Sequence, residues 1–331
     1  MLSAALTERV RLPTTGARHR YSSFFSTCQG ASGGSHTVAS SQRTDVRPEH
    51  QLYHSYSTDV DQARTNVHYE QPPEFFLLIT GGEWNVYSAN LWDPGTEDDT
   101  ASQTAKLDLI ARLAGLEKGM RLIDVGCGWA GPLSYLTTTY GLTGTGLTLS
   151  PTQKGYAEER IARLGADATI VLSHWEDYTH AEKVDAIYTD EVIVHFFNLG
   201  GFFTKCHDWL KPGGVMINKE LHLKHPRHAK LERGGEFVSQ IYGDTGNYRT
   251  LAEELRLANE AGFDIERVHH IERRHYEVTI DHWLANMHKH ADRLKELVGD
   301  QHYRDFRVYL RLARHIQRNV TLDVVVCRKP S

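Results

Sequence analysis

The sequence has little that would tie it to a membrane or to nucleic acid. No apolar run approaches the roughly 18 residues of a transmembrane helix, so we predict no membrane span and at most peripheral contact with a membrane. The formal net charge is −5, and no dense basic stripe stands out. We expect no nucleic-acid partner, because binding to a phosphate backbone needs clustered Lys and Arg.

Cysteine is scarce, and no C-x-x-C pair occurs among Cys28, Cys127, Cys206 and Cys327. This argues against a disulfide framework and a zinc ribbon, and it favours a reducing, cytoplasmic location. Histidine is plentiful, and His222, His225 and His228 follow one another at three-residue steps. Pro226 interrupts that run, so we interpret the three as solvated surface residues and predict no metal site.

Residues 1–60 have neither helical nor strand periodicity and are rich in Ser, Thr and Gly. Before Asp45 this segment contains one acidic residue, Glu8, and five arginines, a bias typical of an organellar presequence. A disordered tail or a misplaced start codon would give the same pattern, so these alternatives stay open. The segment has no apolar core of about 7–15 residues, which argues against a secretory signal.

From residue 61 onward, short apolar runs alternate with helical patterns, which predicts an α/β fold with a doubly wound, mostly parallel sheet. The seven predicted strands are Leu122–Val125, Gly144–Leu149, Thr169–Leu172, Val184–Tyr188, Val215–Leu221, Ile265–Ile271 and Thr321–Cys327. The last two are expected to add a hairpin-like antiparallel edge. Capping boxes are predicted to begin three helices, at Thr100 with Gln103, Ser150 with Gln153, and Thr250 with Glu253.

The alternation also divides the chain. We expect an N-terminal helical cap over residues 61–119 that contributes to the active site, and a Rossmann-like domain over residues 120–331. Residues 222–247 do not fit the alternation and are predicted to form a helical lid insertion. The oligomeric state, including a homo-oligomer, stays open.

A glycine-rich loop follows the first predicted strand, with Gly126, Gly128 and Gly131 in a G-x-G-x-x-G arrangement before a helix. Such a loop brings backbone N–H groups and a helix N-terminus to a ligand. Asp124 would repel a pyrophosphate there by on the order of 1 kcal/mol. The acidic residue that binds ribose in NAD-binding folds is replaced by the uncharged residues 147–150. Both details favour the positively charged S-adenosylmethionine over a dinucleotide.

The motifs DVGCGWAG, GLTLSPTQ and SHWEDY stand in this order along the chain. With HYEQPPEFF and VYSANLWDPGTEDDTASQTAKLDLI upstream and HYEVTIDHW and RVYL downstream, the chain resembles the cyclopropane fatty acid synthase and mycolic acid cyclopropane synthase family. These enzymes are S-adenosylmethionine-dependent methyltransferases with a Rossmann-like sheet. The resemblance extends from His68 nearly to the C-terminus.

The resemblance implies a set of cofactor contacts. Tyr87 and Ser88 would lie against the methionine end, and Trp175 and Glu176 would contact the adenine. The glycine loop would supply Asp124, Gly126, Cys127, Gly128 and Trp129. The ribose would be reached by Thr148, Leu149 and Gln153.

One part of the family pattern is missing. Cyclopropane synthases hold a bicarbonate that removes a proton after methylation, and they bind it through a cysteine, a glutamate, a histidine and a tyrosine. The first three positions read Ala89, Val194 and Lys219 here, whereas Tyr276 is retained and stays a catalytic candidate. The bicarbonate mechanism is therefore in doubt, and with it ring formation.

Another base is available in TDEVIVHFFNL. Glu191 comes directly after the fourth predicted strand, at the end of the sheet where substrates bind, and His195 follows four residues later. Plant tocopherol and bacterial prenyl diphosphate C-methyltransferases resemble this chain in carrying a glutamate at the Glu191 position. We therefore predict Glu191 as the general base, with His195 beside it; a packed core histidine is an equal alternative for His195.

These features predict a methyltransferase that moves a methyl group from S-adenosylmethionine to a carbon of an unsaturated lipid-like or isoprenoid small molecule. Alternatives in the same class are a cyclopropane synthase with an altered base and a small-molecule N-methyltransferase. An NAD-dependent oxidoreductase and a non-catalytic cofactor-binding protein are rivals of other classes. An anionic head group on the acceptor would find five basic residues near the predicted lid, namely Lys219, Lys224, Arg227, Lys230 and Arg233, although a solvated charged face is an alternative explanation.

Overall fold

The structure is a computed structural model that describes residues 57–229, 241 and 247–331. A seven-stranded sheet with the order β3-β2-β1-β4-β5-β7-β6 forms its centre. The strands are β1 (Arg121–Val125), β2 (Thr143–Thr148), β3 (Ala168–Leu172), β4 (Val184–Asp190), β5 (Leu210–Leu223), β6 (Asp264–Ile271) and β7 (Val320–Arg328). Strands β1 to β5 pair in parallel, and β7 pairs antiparallel with β5 and β6. The predicted mostly parallel sheet and its antiparallel edge are confirmed.

Helices pack on both faces of the sheet. Three of them precede it, namely α1 (Thr58–Tyr69), α2 (Pro73–Thr80) and α3 (Asp99–Ala114). The others are α4 (Gly131–Tyr140), α5 (Pro151–Leu164), α6 (Leu199–Trp209), α7 (Leu251–Glu260), α8 (Arg273–Lys289) and α9 (Ala291–Ile316). Because side chains alternate along a strand, Leu122 joins the core with α3 and α4, and Ile123 joins the core with α6 and α7. The centre of the sheet is thus buried on two sides, which explains why β1 and β4 are largely apolar.

Two of the three predicted helix starts are confirmed. The Ser150 hydroxyl accepts a hydrogen bond from the Gln153 N–H at 3.0 Å, and Thr250 caps α7 through the Glu253 N–H. The prediction at Thr100 is wrong, because Asp98 is the N-cap of α3 and accepts from the Ala101 N–H at 2.8 Å. A carboxylate two residues earlier binds the free N–H groups of the first turn and suits the helix dipole.

The interpretation of His222 as a surface residue is wrong. Its side chain is buried at the end of β5, between the carboxylates of Glu254 and Asp323. Burial alone would lower the pKa of His222, but the two carboxylates outweigh burial and raise it to about 10. His225 is exposed and His228 is half-buried. The prediction failed only for His222, because β5 continues to Leu223, two residues beyond the predicted end at Leu221.

The predicted segments 1–60 and 222–247 are described only in part. Helix α1 begins at Thr58, and residues 1–56 lie outside the described residues. Of the predicted lid, the structure describes the end of β5, a short 3₁₀ helix at Pro226–Ala229, Ile241 and Asn247. Among the helices of the described residues, none is both long and apolar enough to span a bilayer. The proposed division at residues 60 and 119 stays a prediction.

Candidate active site

A cavity opens at the carboxyl ends of the parallel strands, where open α/β sheets bind ligands. Every predicted site residue except Glu176 and Tyr276 lines it. These lining residues are Tyr87, Ser88, Asp124, Gly126, Cys127, Gly128, Trp129, Thr148, Leu149, Gln153, Trp175, Glu191 and His195. Sequence reasoning missed one wall, which Asp61, Thr65, Asn66 and Tyr69 of α1 provide. Their spacing along one helical face was the available signal.

The glycine loop is built for tight packing more than for anion binding. Gly126 has a φ of +80°, and a Cβ there would lie 2.6 Å from the Val192 side chain. A Cβ on Gly131 would lie 1.7 Å from the Trp84 carbonyl oxygen. The N–H groups of Gly126 and Cys127 both donate to the Leu147 carbonyl oxygen at 2.9 Å. Because these donors are already used within the fold, the loop is poorly suited to a pyrophosphate.

Asp124 gives the cavity a buried carboxyl group. The side chain is 2% exposed, and its Oδ2 atom has no hydrogen-bond partner among the residues that the structure describes. Burial raises the pKa of Asp124 to about 8, the charge of Asp190 adds to the rise, and Lys106 opposes it. A positively charged ligand group would supply the missing partner and favour the ionised form, whereas an anion would meet repulsion.

Four charged side chains form a buried ion cluster beside Asp124: Lys106, Asp190, Glu191 and Lys219. Asp190 lies 2.6 Å from the Lys106 ammonium and 2.9 Å from that of Lys219. It also accepts from the hydroxyls of Ser88 and Tyr188 at 2.7 and 2.8 Å. Two positive and two negative charges thus balance within the cluster, which is a condition for burying them together.

The pKa values within the ion cluster follow from burial and pairing. Burial would raise the pKa of Asp190, but Lys106 and Lys219 outweigh it and lower the pKa. Burial lowers the pKa of Lys106 to about 8 against the charge of Asp190. Burial would also lower the pKa of Lys219, yet Asp190 and Glu191 raise it. The sequence analysis did not identify Lys106 and Asp190 as site residues. The position of Lys106 on the apolar face of α3 could have indicated a buried charge with a partner.

Glu191 stands at the junction of the ion cluster and the cavity. Its φ of +55° lies in the left-handed region, which side-chain-bearing residues rarely adopt and which is frequent at functional sites. Its N–H donates to the Lys219 carbonyl oxygen at 2.7 Å. Its Oε1 atom accepts from the Ala89 N–H at 2.8 Å and from the Lys219 ammonium. The carboxylate is thereby held in one orientation at the cavity wall.

The other two predicted catalytic residues differ in their relation to the cavity. His195 ends a short 3₁₀ helix, Ile193–His195, and lines the cavity with its ring 6.3 Å from that of Tyr69. Tyr276 is buried outside the lining residues. Burial raises the pKa of Tyr276, and the Glu191 charge adds to the rise. Their catalytic roles stay predictions.

The aromatic wall at Tyr87 is tightly packed. The Tyr87 ring stacks on Trp283 with 4.9 Å between ring centroids, and its hydroxyl lies 3.2 Å from His68 Nε2. Burial lowers the pKa of His68 to about 3, so the imidazole is neutral. Its Nδ1 lies 3.1 Å from the Ile241 carbonyl oxygen and therefore carries the proton, which leaves Nε2 to accept from Tyr87.

The opposite end of the cavity lies at the ends of β2 and β3. Trp175 is 5% exposed, and its Nε1 donor finds no hydrogen-bond acceptor within the described part of the chain. Glu176 is exposed, and the structure does not place it among the lining residues, so its predicted adenine contact stays a prediction. Trp175 and Asp124 together offer a donor and an acid to one ligand, as the adenine and the ammonium of S-adenosylmethionine require. The residues therefore fit this cofactor.

The predicted basic patch is corrected in one respect. Lys219 is fully buried in the ion cluster and is not available to an anionic head group. Lys224 and Arg227 are exposed, and Lys224 donates to the Arg318 carbonyl oxygen at 2.8 Å. Lys230 and Arg233 lie outside the described residues.

Comparisons with known proteins agree with this fold. The model of the mycolic acid cyclopropane synthetase family matches residues 56–327. Methoxy mycolic acid synthase MmaA3 of Mycobacterium tuberculosis is 30% identical over 275 residues, which cover 77% of this chain and 92% of that protein. The structure of the cyclopropane synthase MmaA2 from Mycobacterium tuberculosis matches with a TM-score of 0.75 at 23% identity, over 81% of this chain and 98% of that one. Mycolic acid cyclopropane synthase CmaA1 complexed with SAH and CTAB matches with a TM-score of 0.74 at 25% identity and the same coverage.

Proposed function

The chain belongs to the mycolic acid cyclopropane synthetase family, and from this premise we propose that it methylates a carbon atom of an unsaturated lipid-like or isoprenoid molecule. It is an S-adenosylmethionine-dependent methyltransferase. In our proposal Glu191 is the general base, and the product is a methylated alkene without a ring.

The position of the Glu191 carboxylate carries the proposal. The resemblance assigns bicarbonate ligands to the positions of Ala89 and Lys219, and in this chain both donate to Glu191 Oε1. Of the other two such positions, Val194 donates its N–H to Glu220 at 3.2 Å, and the charge of Glu191 adds to the rise in the pKa of Tyr276. The side-chain carboxylate thus stands among the groups that would hold the anion in the relatives. A base supplied by the chain itself needs no bound bicarbonate.

The residues around the cavity divide the work of the reaction. Bound S-adenosylmethionine supplies an electrophilic methyl group, and Asp124 would bind its ammonium. Addition of a methyl group to an alkene carbon leaves a cation on the neighbouring carbon. Tyr69, Tyr87 and Phe196 line the cavity, and aromatic faces of this kind stabilise a desolvated cation by about 1–2 kcal/mol each.

Glu191 would complete the reaction by removing a proton. A C–H bond next to a carbocation is strongly acidic, so even a carboxylate paired with Lys219 is basic enough to accept its proton. The electrons of that C–H bond re-form the double bond, and the acceptor keeps the complete methyl group.

Deuterium counting separates this reaction from ring closure. The chain is incubated with S-adenosylmethionine labelled as the CD₃ compound and with unsaturated phospholipids or a prenyl diphosphate, and the product is examined by mass spectrometry. Loss of a proton from the acceptor leaves three deuterium atoms in the product, whereas closure of a cyclopropane ring removes one of them. A product with two deuterium atoms would contradict the proposal, as would a strong dependence of turnover on added bicarbonate.

Substitution of the base gives an independent test. We expect Glu191→Gln to lower kcat by about 10²- to 10⁴-fold while the affinity for S-adenosylhomocysteine, measured by calorimetry, changes by less than about threefold. Glu220→Gln is the matched control, because Glu220 follows Lys219 in the chain and is buried, but it accepts from the Val194 and Leu221 N–H groups and does not line the cavity. If Glu191→Gln turns over as fast as the control, Glu191 is not the base.

A further inference from the structure

The end of β2 lacks an obvious acceptor for the ribose of the cofactor. Nucleotide-binding α/β folds commonly place a carboxylate there, whereas residues 147–150 carry none. The Thr148 hydroxyl donates to Gln153 Oε1 at 2.7 Å and accepts from the Ser150 N–H at 3.2 Å. The acceptor oxygen of Gln153 is therefore already engaged within the fold. A ribose at this end of the cavity needs an acceptor from another element.

Helix α1 brings such an acceptor to this place. Asn66 lines the cavity, and its Nδ2 atom donates to the Leu149 carbonyl oxygen at 3.1 Å, directly after the end of β2. A carbonyl oxygen can be approached only by the NH₂ group of the amide, so this contact determines which way the amide is turned. Oδ1 therefore faces away from Leu149. It is buried, and it has no hydrogen-bond partner in residues 57–229 and 247–331 or at position 241.

A buried amide oxygen without a partner is unfavourable, which implies that a bound group completes it. We propose that Asn66 Oδ1 accepts a hydrogen bond from a ribose hydroxyl of S-adenosylmethionine. In this chain α1 thus takes the role that the carboxylate after β2 has in dinucleotide-binding folds. The inference rests on the S-adenosylmethionine-dependent activity and adds a specificity-determining residue to it.

A neighbouring residue of α1 provides the control. Gln62 also donates to the Leu149 carbonyl oxygen, at 2.7 Å, but it does not line the cavity. Both Asn66→Leu and Gln62→Leu remove one contact between α1 and Leu149, whereas Asn66→Leu alone changes a residue that lines the cavity and removes its unpartnered oxygen. A loss of affinity that comes only from loosening α1 should appear in both variants.

The test compares S-adenosylhomocysteine with its 2′-deoxy and 3′-deoxy analogues by calorimetry on the unsubstituted chain and both variants. We expect Asn66→Leu to weaken S-adenosylhomocysteine by about tenfold and Gln62→Leu by less than about threefold. The unsubstituted chain should bind one of the two deoxy analogues about tenfold more weakly than it binds S-adenosylhomocysteine. Because that analogue lacks the hydroxyl that Asn66 binds, Asn66→Leu should have the same affinity for it as the unsubstituted chain.

Two results would overturn the inference. One is an equal loss in Asn66→Leu and Gln62→Leu, and the other is a loss in Asn66→Leu that persists in full with both deoxy analogues. If the unsubstituted chain binds neither S-adenosylhomocysteine nor its analogues, the cofactor assignment itself fails, which is a distinct outcome. Deoxy analogues leave the protein unchanged, so their result does not depend on how well a variant folds.

Discussion

Replacing Lys219 with methionine should strongly destabilise the protein. Its fully buried ammonium joins Asp190 Oδ1, at 2.9 Å, to Glu191. Without it, Asp190 and Glu191 would share the ammonium of Lys106, which lies 2.6 Å from Asp190 Oδ2, and the ion cluster would carry a surplus negative charge. Removing one partner from a buried ion pair costs about 3–5 kcal/mol, so we expect the free energy of unfolding at pH 7 to fall by that amount.

Urea unfolding of four chains measures this loss and its cause: the unsubstituted chain, Lys219→Met, Glu191→Gln and the double variant. Glu191→Gln removes the surplus charge that Lys219→Met leaves. The double variant should therefore lose about 1–3 kcal/mol less stability than the sum of the losses in the two single variants. Lys211→Met is the matched control, since Lys211 pairs with Asp185 at 2.7 Å but its side chain is 44% exposed. An exposed pair is worth about 1 kcal/mol or less. The reasoning is refuted if Lys219→Met loses no more stability than Lys211→Met, or if the losses are additive.

Three further predictions concern pH and helix capping. The folded-state pKa of His222, about 10, exceeds the ordinary value of about 6.5, so the contribution of His222 to stability is complete below pH 6.5 and is lost as the pH rises toward 10. The free energy of unfolding in urea, measured at a series of pH values, should therefore fall over this range, and His222→Gln should remove that fall. The pKa of Asp124 is raised to about 8, so Asp124 must lose its proton before it can pair with the ammonium of S-adenosylhomocysteine. The affinity for S-adenosylhomocysteine, measured by calorimetry, should therefore rise by up to about tenfold per pH unit from pH 6 to 8. A flat pH profile, or one that Asp124→Asn leaves unchanged, would contradict this. Asp98→Ala should lower the free energy of unfolding by about 1 kcal/mol, and a larger loss in Thr100→Ala would restore the original capping prediction.

Local patterns were sufficient to predict the framework. Short segments of four to seven residues marked all seven strands. Apolar residues dominate the central strands β1 and β4, because burial on both faces of a sheet favours apolar sequence, whereas the edge strand β6 is largely exposed and polar. The order of strand, glycine loop and helix placed Asp124 and Gly126 at the cavity, and the position of Glu191 directly after β4 placed it at the ligand-binding end of the sheet. Each of these inferences uses residues that are close together in the chain.

Where local patterns compete, sequence reasoning was less accurate. Asp98 and Thr100 are both suitable N-caps, and the backbone conformation that decides between them depends on how the preceding loop packs. His222 is the first residue of the predicted insertion, and the interruption of its spacing from His225 and His228 by Pro226 suggested a surface position. Its true neighbours, Glu254 and Asp323, are 32 and 101 residues away.

The sequence by itself determined the sheet, the glycine loop and the residue types available for chemistry, because these depend on periodicity and on neighbours along the chain. The tertiary structure alone decided which charges meet. Lys106 and Asp190 are 84 residues apart, and Asn66 and Leu149 are 83 residues apart. Their pairing follows from how α3 and α1 pack on the sheet, since burial gives charged and polar side chains specific partners that no local pattern encodes.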